Sequence, residues 1–292
     1  MKGRCKENAS PRTRPWGDTL ASGLAVAALA LLAGFVSLPL LSLVVWTVDK
    51  AAWRAMASPV AVDALLLSVR TTAITMAILV VVGTPAAYVL ARAGFRGNRV
   101  INTLVDIPVV LPPSAAGIAL LLAFGRLGLV GRYLDVFGVT LTFTTAAVVM
   151  AEIFVAAPFY VRQAATGFGA VDRTIEEAAL VDGASRSTVF FRVTVPLAFP
   201  ALVSGALTAW ARALGEFGAT IIFAGSFRGI TQTIPLAIFA EFQSDIDAAV
   251  ALSVLVLGFA FAVILAVRYL TATSAAEEAK RVRPGRRLRS GS

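Results

Sequence analysis

Asp172 to Pro200 reads DRTIEEAALVDGASRSTVFFRVTVPLAFP, a polar stretch set between two long apolar runs. In a chain dominated by apolar runs such a stretch faces water, yet its residues are spaced for helices rather than for a bare connector. Thr174 and Glu177 match S/T-x-x-E, a capping box that satisfies free N–H groups at a helix start. Ile175, Ala178, Ala179 and Val181 give that helix a small apolar face. Gly183 permits a backbone turn that a β-carbon resists. Ser185 can cap a second helix carrying Val189, Phe190 and Val193, and Pro196 suits the first turn of the apolar helix beyond it. Two short helices around a glycine form either an amphipathic pair lying on a bilayer or a surface on which another protein docks.

The rest of the chain sets this loop in a membrane. Apolar residues make up 58% of the 292 and the mean hydropathy is +0.82, where soluble domains hold roughly 45–50% apolar residues. Several runs reach the ~20 residues that cross a bilayer core as a helix. They are continuous rather than short and alternating, so helices are predicted and a β-barrel is not. The expectation is an all-α polytopic transmembrane bundle of about six spans: Leu20–Trp46, Ser68–Ala91, Val100–Phe124, Phe143–Val161, Leu197–Phe223 and Ala249–Tyr269. Three regions follow: a basic N-terminal tail (1–18), a membrane domain (20–270) with its loop at about 172–196, and a basic C-terminal tail (271–292).

Charge orients the bundle. Nineteen Lys and Arg lie in the two tails, at the edge of the last span, and in the second-to-third and fourth-to-fifth loops. Only Lys50, Arg54, Arg126, Arg132 and Arg228 lie on the other side. The positive-inside rule then places both termini and the Glu177 loop in the cytoplasm. The formal net charge of +9 is accounted for by this topology and by tails drawn to anionic headgroups, not by nucleic acid. The first run, about 27 residues long, exceeds a signal-peptide core and is expected to stay as an anchor.

Absent residues narrow the chemistry. There is no histidine and one cysteine, Cys5, so a zinc protease, a Ser-His relay and a cysteine-rich metal site are excluded. No lysine follows a glycine, so there is no phosphate-binding P-loop. Lys50 lies outside the spans and the carboxylates are scattered, which leaves no intramembrane catalytic cluster. No catalytic residue, metal site or bound cofactor is expected.

The spacing Glu177-Ala178-Ala179, Gly183, Val193-Thr194-Val195-Pro196 resembles the EAA loop of ABC importer permeases. The likeness covers roughly Leu66 to Tyr269. Leu104 to Pro113 (LVDIPVVLPP) resembles the proline-rich third span of molybdate and sulfate importers, and Trp210 to Thr220 (WARALGEFGAT) looks like a signature of the same branch. Thr231 to Ile238 (TQTIPLAI) is more similar to molybdate/tungstate members than to sulfate ones. This resemblance implies a type I importer permease fold in a bacterial or archaeal cell membrane, working as a homodimer around a central path. It implies that two cytoplasmic ABC ATPases bind ATP and Mg and dock on Glu177, Ala178, Ala179, Gly183 and Pro196. It implies also an extracytoplasmic binding protein that delivers a tetrahedral oxyanion, molybdate or tungstate, with sulfate or thiosulfate as the alternative. From another class, an ion-gradient-driven secondary transporter would need ionisable residues or broken helices in both halves and no partner.

Candidates for the path or its gate are Pro112, Pro113, Ser114, Arg212, Gly215, Glu216, Phe217, Gly218 and Thr220. The Pro112-Pro113-Ser114 step interrupts helical hydrogen bonding and could turn N–H groups toward a cavity; a packing kink is the plainer reading. Arg212 and Glu216, spaced i,i+4, can pair on one helix face, as buried membrane charges must. Gly215 and Gly218 allow close approach of a neighbour. Asp106 and Glu152 lie inside spans with no local partner, which leaves pairing with another span for either.

Overall fold

A computed structural model of the chain describes residues 17–47, 54–92, 94 and 96–282, with side chains for 22–47, 54–92, 94 and 96–269. Residues 1–16 and 283–292, which hold most of both basic tails, lie outside the described residues. The backbone falls into two units, residues 1–49 and 50–292. The first carries α1 (Gly17–Trp46), a long apolar helix that runs through Pro39. Its large side chains, Leu24 and Phe35 among them, are exposed.

The second unit begins its long helices with α2 (Pro59–Arg92). The Ser58 hydroxyl accepts a hydrogen bond from the Ala61 N–H, and Pro59 fills the first turn. Then come α3 (Asn98–Val110), α4 (Pro113–Phe124) and α5 (Gly131–Val136). Helix α6 (Thr145–Ala170) starts on the Thr144 hydroxyl. The chain continues through α7 (Arg173–Val181), α8 (Arg186–Leu214), α9 (Gly218–Phe223), α10 (Ile234–Phe242) and α11 (Ile246–Val282). Among the described residues, five helices are long and apolar enough to cross a membrane, six if the bent pair α3/α4 counts as one span.

Two expected spans are broken. The third does not run straight from Val100 to Phe124: α3 and α4 meet at 118°, because Pro112 and Pro113 donate no backbone hydrogen bond and force Leu111 into an extended conformation. The fifth does not reach Phe223: it stops at Leu214, and α9 is a separate short helix. The fourth continues to Ala170, which puts Arg162 inside a helix rather than in a loop.

Two long helices carry a widened π turn two residues ahead of a proline. Leu79–Gly83 precede Pro85 in α2, and Phe190–Thr194 precede Pro196 in α8. A proline ring clashes with the carbonyl four residues back, and the wider turn relieves that clash without breaking the helix.

The centre of the unit is α6 against α8. Small residues let the backbones close: a β-carbon on Gly205 would stand 2.9 Å from Gln163 Cβ, and one on Gly167 would overlap Ala201. Tyr160, Ala164, Phe168, Ala198 and Ala209 fill the seam. A second cluster joins α4, α6 and α9 through Leu120, Val148, Val155 and Phe223. A third joins α2, α10 and α11 through Ala61, Ala64, Ile234 and Leu252. With little hydrophobic drive between helices in lipid, such close packing of small residues holds a bundle together.

The α4–α9 contact is the tightest consequence of the two breaks. A β-carbon on Gly117 would lie 2.8 Å from Ile222 Cβ and 2.9 Å from the Ala219 carbonyl oxygen. Gly117→Val is therefore expected to lose about 1–3 kcal/mol through overpacking, whereas Ala119→Val on the exposed face of α4 should be neutral. Thermal melts followed by size-exclusion chromatography in detergent would measure both, and a Gly117→Val protein as stable as wild type would mean that α4 and α9 do not meet here.

Candidate functional site: the Asp172–Pro196 segment and the polar face

The loop that opened the sequence folds as two helices around a tight turn. Its first helix, α7, starts on Asp172 and not on Thr174: Asp172 Oδ1 accepts from the Thr174 N–H at 2.9 Å. Asp172 sits at the β-region N-cap position, so the capping box read from Thr174 and Glu177 is displaced by a stronger acidic cap two residues earlier. The Thr174 hydrogen bonds hold the Asp172 carboxyl below the usual carboxylate range. The cap is thus intact at neutral pH and is lost only when acid protonates it. Gly183 makes the turn at φ +89°, in the left-handed region. Ser185 Oγ then accepts from the Thr188 N–H at 3.2 Å and starts the second helix. That helix has no end of its own: it runs through the π turn into α8, so Pro196 lies within a continuous helix rather than at its beginning.

The segment is anchored by a residue the sequence did not single out. Glu176 is buried and its Oε1 lies 3.2 Å from Arg92 Nη2 at the end of α2. The same oxygen accepts from the Thr194 hydroxyl of α8 at 2.7 Å. Arg92 Nη2 also donates to the Val171 carbonyl at the end of α6, at 2.9 Å. One ion pair thus joins α2, α6, α7 and α8. Alongside the helices that carry it, Tyr88 meets Phe168 and Phe190 edge-on, with centroids 5.5 and 4.9 Å apart. The acidic pair Glu176-Glu177 hides this in the sequence; the available signal was an arginine closing one span and a threonine opening another.

With Glu176 turned inward, the rest of α7 faces out. Glu177 and Ala178 are exposed and Ala179 is half-buried. Ile175, Leu180 and Val181 are exposed too, Val181 to 87%. The apolar face expected on this helix is real and exposed, which suits a docking surface.

The path candidates gather at the other end of α8, roughly 40 Å away at 1.5 Å per residue. Arg212 Nη1 lies 2.8 Å from Glu216 Oε2, an ion pair rather than an aligned hydrogen bond. Glu216 is 1% exposed, and its other oxygen accepts from the Ala219 N–H at 2.7 Å, fixing the first turn of α9. A β-carbon on Gly218 would stand 2.5 Å from Pro113 Cβ, so the α4 bend and the α8–α9 break meet each other. Phe217 packs on Phe239 at 5.1 Å. Thr220 is buried with its hydroxyl unpaired. Gly215, Pro112, Pro113 and Ser114 are exposed.

Both unexplained carboxylates have partners. Glu152 accepts from the Thr71 and Thr75 hydroxyls of α2 at 2.7 Å each, and Asp106 of α3 pairs with Arg162 of α6. Polar side chains continue along the exposed side of α6 and α8: Gln163, Thr166, Ser204 and Thr208. Hydroxyls, an amide and charges are costly against hydrocarbon, so this face borders water or another protein chain.

Removing Glu176 as Glu176→Leu would strand Arg92 and is expected to cost α7 about 2–4 kcal/mol of local stability. Hydrogen exchange should show α7 amides losing protection while those of α6 keep theirs; unchanged α7 protection would refute the anchor. At the opposite end, Arg212→Met and Glu216→Leu should each lower folded yield. The double variant should recover part of it, since no charge is stranded, but not all, since α9 also loses its cap. A double variant no better than the worse single one would refute the pairing.

Comparison with known proteins places this geometry. The family described as the binding-protein-dependent transport system inner membrane component matches residues 80–273. The molybdenum transport system permease protein ModB of Mycobacterium tuberculosis is 46% identical over 233 residues, spanning 80% of this chain and 88% of that protein. ModB of Escherichia coli K12 is 37% identical over 183 residues, 62% of this chain and 80% of that protein. The molybdate/tungstate transport system permease protein WtpB of Pyrococcus abyssi is 34% identical over 212 residues, 73% and 79% of the two. Among solved structures, a chain of a bacterial ABC transporter that imports alginate superposes with TM-score 0.69 at 16% identity, covering 89% of this chain and 99% of its own. A chain of the MetNI methionine ABC transporter gives 0.57 at 19%, covering 73% and 94%. The fold is that of an ABC importer permease, and the chain belongs to the binding-protein-dependent transport system inner membrane component family.

Proposed function

We propose that this chain is the membrane-spanning permease subunit of an ATP-driven importer for molybdate or tungstate. The observation that carries the reading is the 46% identity, over four fifths of the chain, to a molybdenum transport permease. A further relative, named for both anions, keeps tungstate alongside molybdate. The chain itself binds no cofactor; ATP and Mg are used by two cytoplasmic ATPase subunits, and an extracytoplasmic protein delivers the anion.

The exposed face of α7 is the ATPase contact, with Glu177, Ala178 and Ala179 on it and Gly183 setting the angle to α8. Both termini then lie in the cytoplasm, on the side richer in Lys and Arg. Two copies form the working unit: the polar side of α6 and α8 is half a wall, and a second copy across a two-fold axis would enclose a water-filled path. Outer-side breaks at Pro112-Pro113 and Gly215 lie where a gate would close such a path.

The test is uptake by the assembled complex in liposomes. Molybdate and tungstate should accumulate with ATP and the binding protein, with sulfate a weak competitor; sulfate accumulating best would replace the oxyanion assignment. The purified chain alone should not hydrolyse ATP. Gly183→Val forces a branched side chain into φ +89°, at a cost of about 1–2 kcal/mol. It should insert normally yet bind the ATPase poorly and transport little, and normal uptake by this variant would remove the coupling role from the turn.

A further inference from the structure

Arg162 lies eight residues before the end of α6, about 12 Å from it at helical rise, on the side of the bundle that carries the coupling segment. It pairs with Asp106 of α3. The pair sits in a cavity of about 390 Å³ whose lining includes Val109, Pro158, Gln163 and Thr208. Arginine, amide and hydroxyl supply donors from two helices, α6 and α8, to one space. The Thr208 hydroxyl at present donates to the Ser204 carbonyl at 2.9 Å and is free to reorient.

The Arg212 and Arg162 pairs differ in what their carboxylates do. Glu216 is almost fully buried and also holds the Ala219 N–H, so Arg212 is committed to its partner. The Asp106 side chain is 32% exposed and that of Arg162 is 55% exposed, and Asp106 comes from a different helix. That pair can open without uncovering a buried charge. A lone arginine in a narrow path would hold a dianion tightly and stall its passage. An arginine with its own carboxylate at hand would not.

Resting on the importer reading above, we propose that Arg162, with Gln163 and Thr208, forms a transient station for a divalent tetrahedral oxyanion in the inner half of the path. Asp106 is the built-in competitor: it yields Arg162 to the arriving anion and reclaims it as the anion leaves. A guanidinium binds either group through paired N–H donors, so the exchange swaps one set of charge-assisted bonds for another.

The experiment has a binding arm and an uptake arm, both on the permease–ATPase complex. Equilibrium binding of molybdate, tungstate and sulfate is measured without the binding protein. Asp106→Asn should tighten oxyanion binding by about tenfold and Arg162→Gln should weaken it by at least as much, the scale of one charge-assisted hydrogen bond. In the uptake arm both variants should transport several-fold more slowly, the first from retention and the second from lost contact. Oxyanion binding indifferent to both substitutions overturns the station. So does a double variant, Arg162→Met with Asp106→Leu, that restores both folded yield and wild-type uptake, since the pair would then serve only structure. Failure of the wild type to import molybdate would overturn the importer reading, while the binding arm would still decide the station on all three anions.

Discussion

A carboxylate taken into a low-dielectric interior must be given donors, and in this chain that requirement decides which helices touch. Glu152 takes two threonine hydroxyls and so ties α6 to α2. Glu176 takes Arg92 and Thr194 and so ties α7 to α2 and α8. Glu216 takes Arg212 and the Ala219 N–H and so ties α8 to α9. Asp106, which is more exposed, takes Arg162 and adds a looser tie between α3 and α6. Apolar packing between helices in lipid has little specificity of its own, because tails and side chains are alike to it. The three buried acceptors, Glu152, Glu176 and Glu216, supply register, and the small-residue seams at Gly167, Gly205 and Gly117 then let the helices close.

The prolines work in two ways according to what surrounds them. Where a π turn precedes the proline, at Pro85 and Pro196, the helix survives and stays long. Where two prolines follow an extended Leu111, the helix ends and restarts at a steep angle. The surviving helices carry Arg92 and Thr194, the two partners of Glu176, and the broken ones carry the junction of Pro113, Gly218 and Glu216. Continuity and interruption are thus placed at different ends of the same bundle.

Much of this was legible in the sequence. Helical spans follow from run length alone, and the turn at Gly183 and the cap at Ser185 follow from local chemistry that tertiary packing did not override. The i,i+4 spacing of Arg212 and Glu216 likewise survives as an ion pair. What hydropathy could not resolve were the breaks within apolar runs, because a bent run has the same composition as a straight one. Nor could it separate Glu176 from Glu177, two identical residues of which one is buried and one exposed. The difference lies in Arg92, eighty-odd positions away in the chain, and no local pattern encodes that. Arg162 was assigned to a loop because the run before it looked long enough to end; only the structure shows it paired inside α6.

The separation between α7 and the α4–α9 junction is bridged by one continuous element. Helix α8 runs from the turn after Gly183 to Gly215, and its first end is held by Glu176 through Thr194 while its last end is held by Glu216 through Arg212. A helix is stiff along its axis, so a displacement at the Gly183 turn would be carried toward Glu216 rather than absorbed between them. The one place where α8 is widened, Phe190–Thr194, sits directly beside the anchor, where a change of angle would be geared up along the remaining length. Because Gly218 abuts Pro113, such a tilt reaches α4 without passing through a flexible loop. The same rod sets Thr208 beside Gln163 and Arg162 of α6, where they line one cavity. The Asp172–Pro196 segment, the polar face and the α4–α9 junction are therefore joined through the one helix α8.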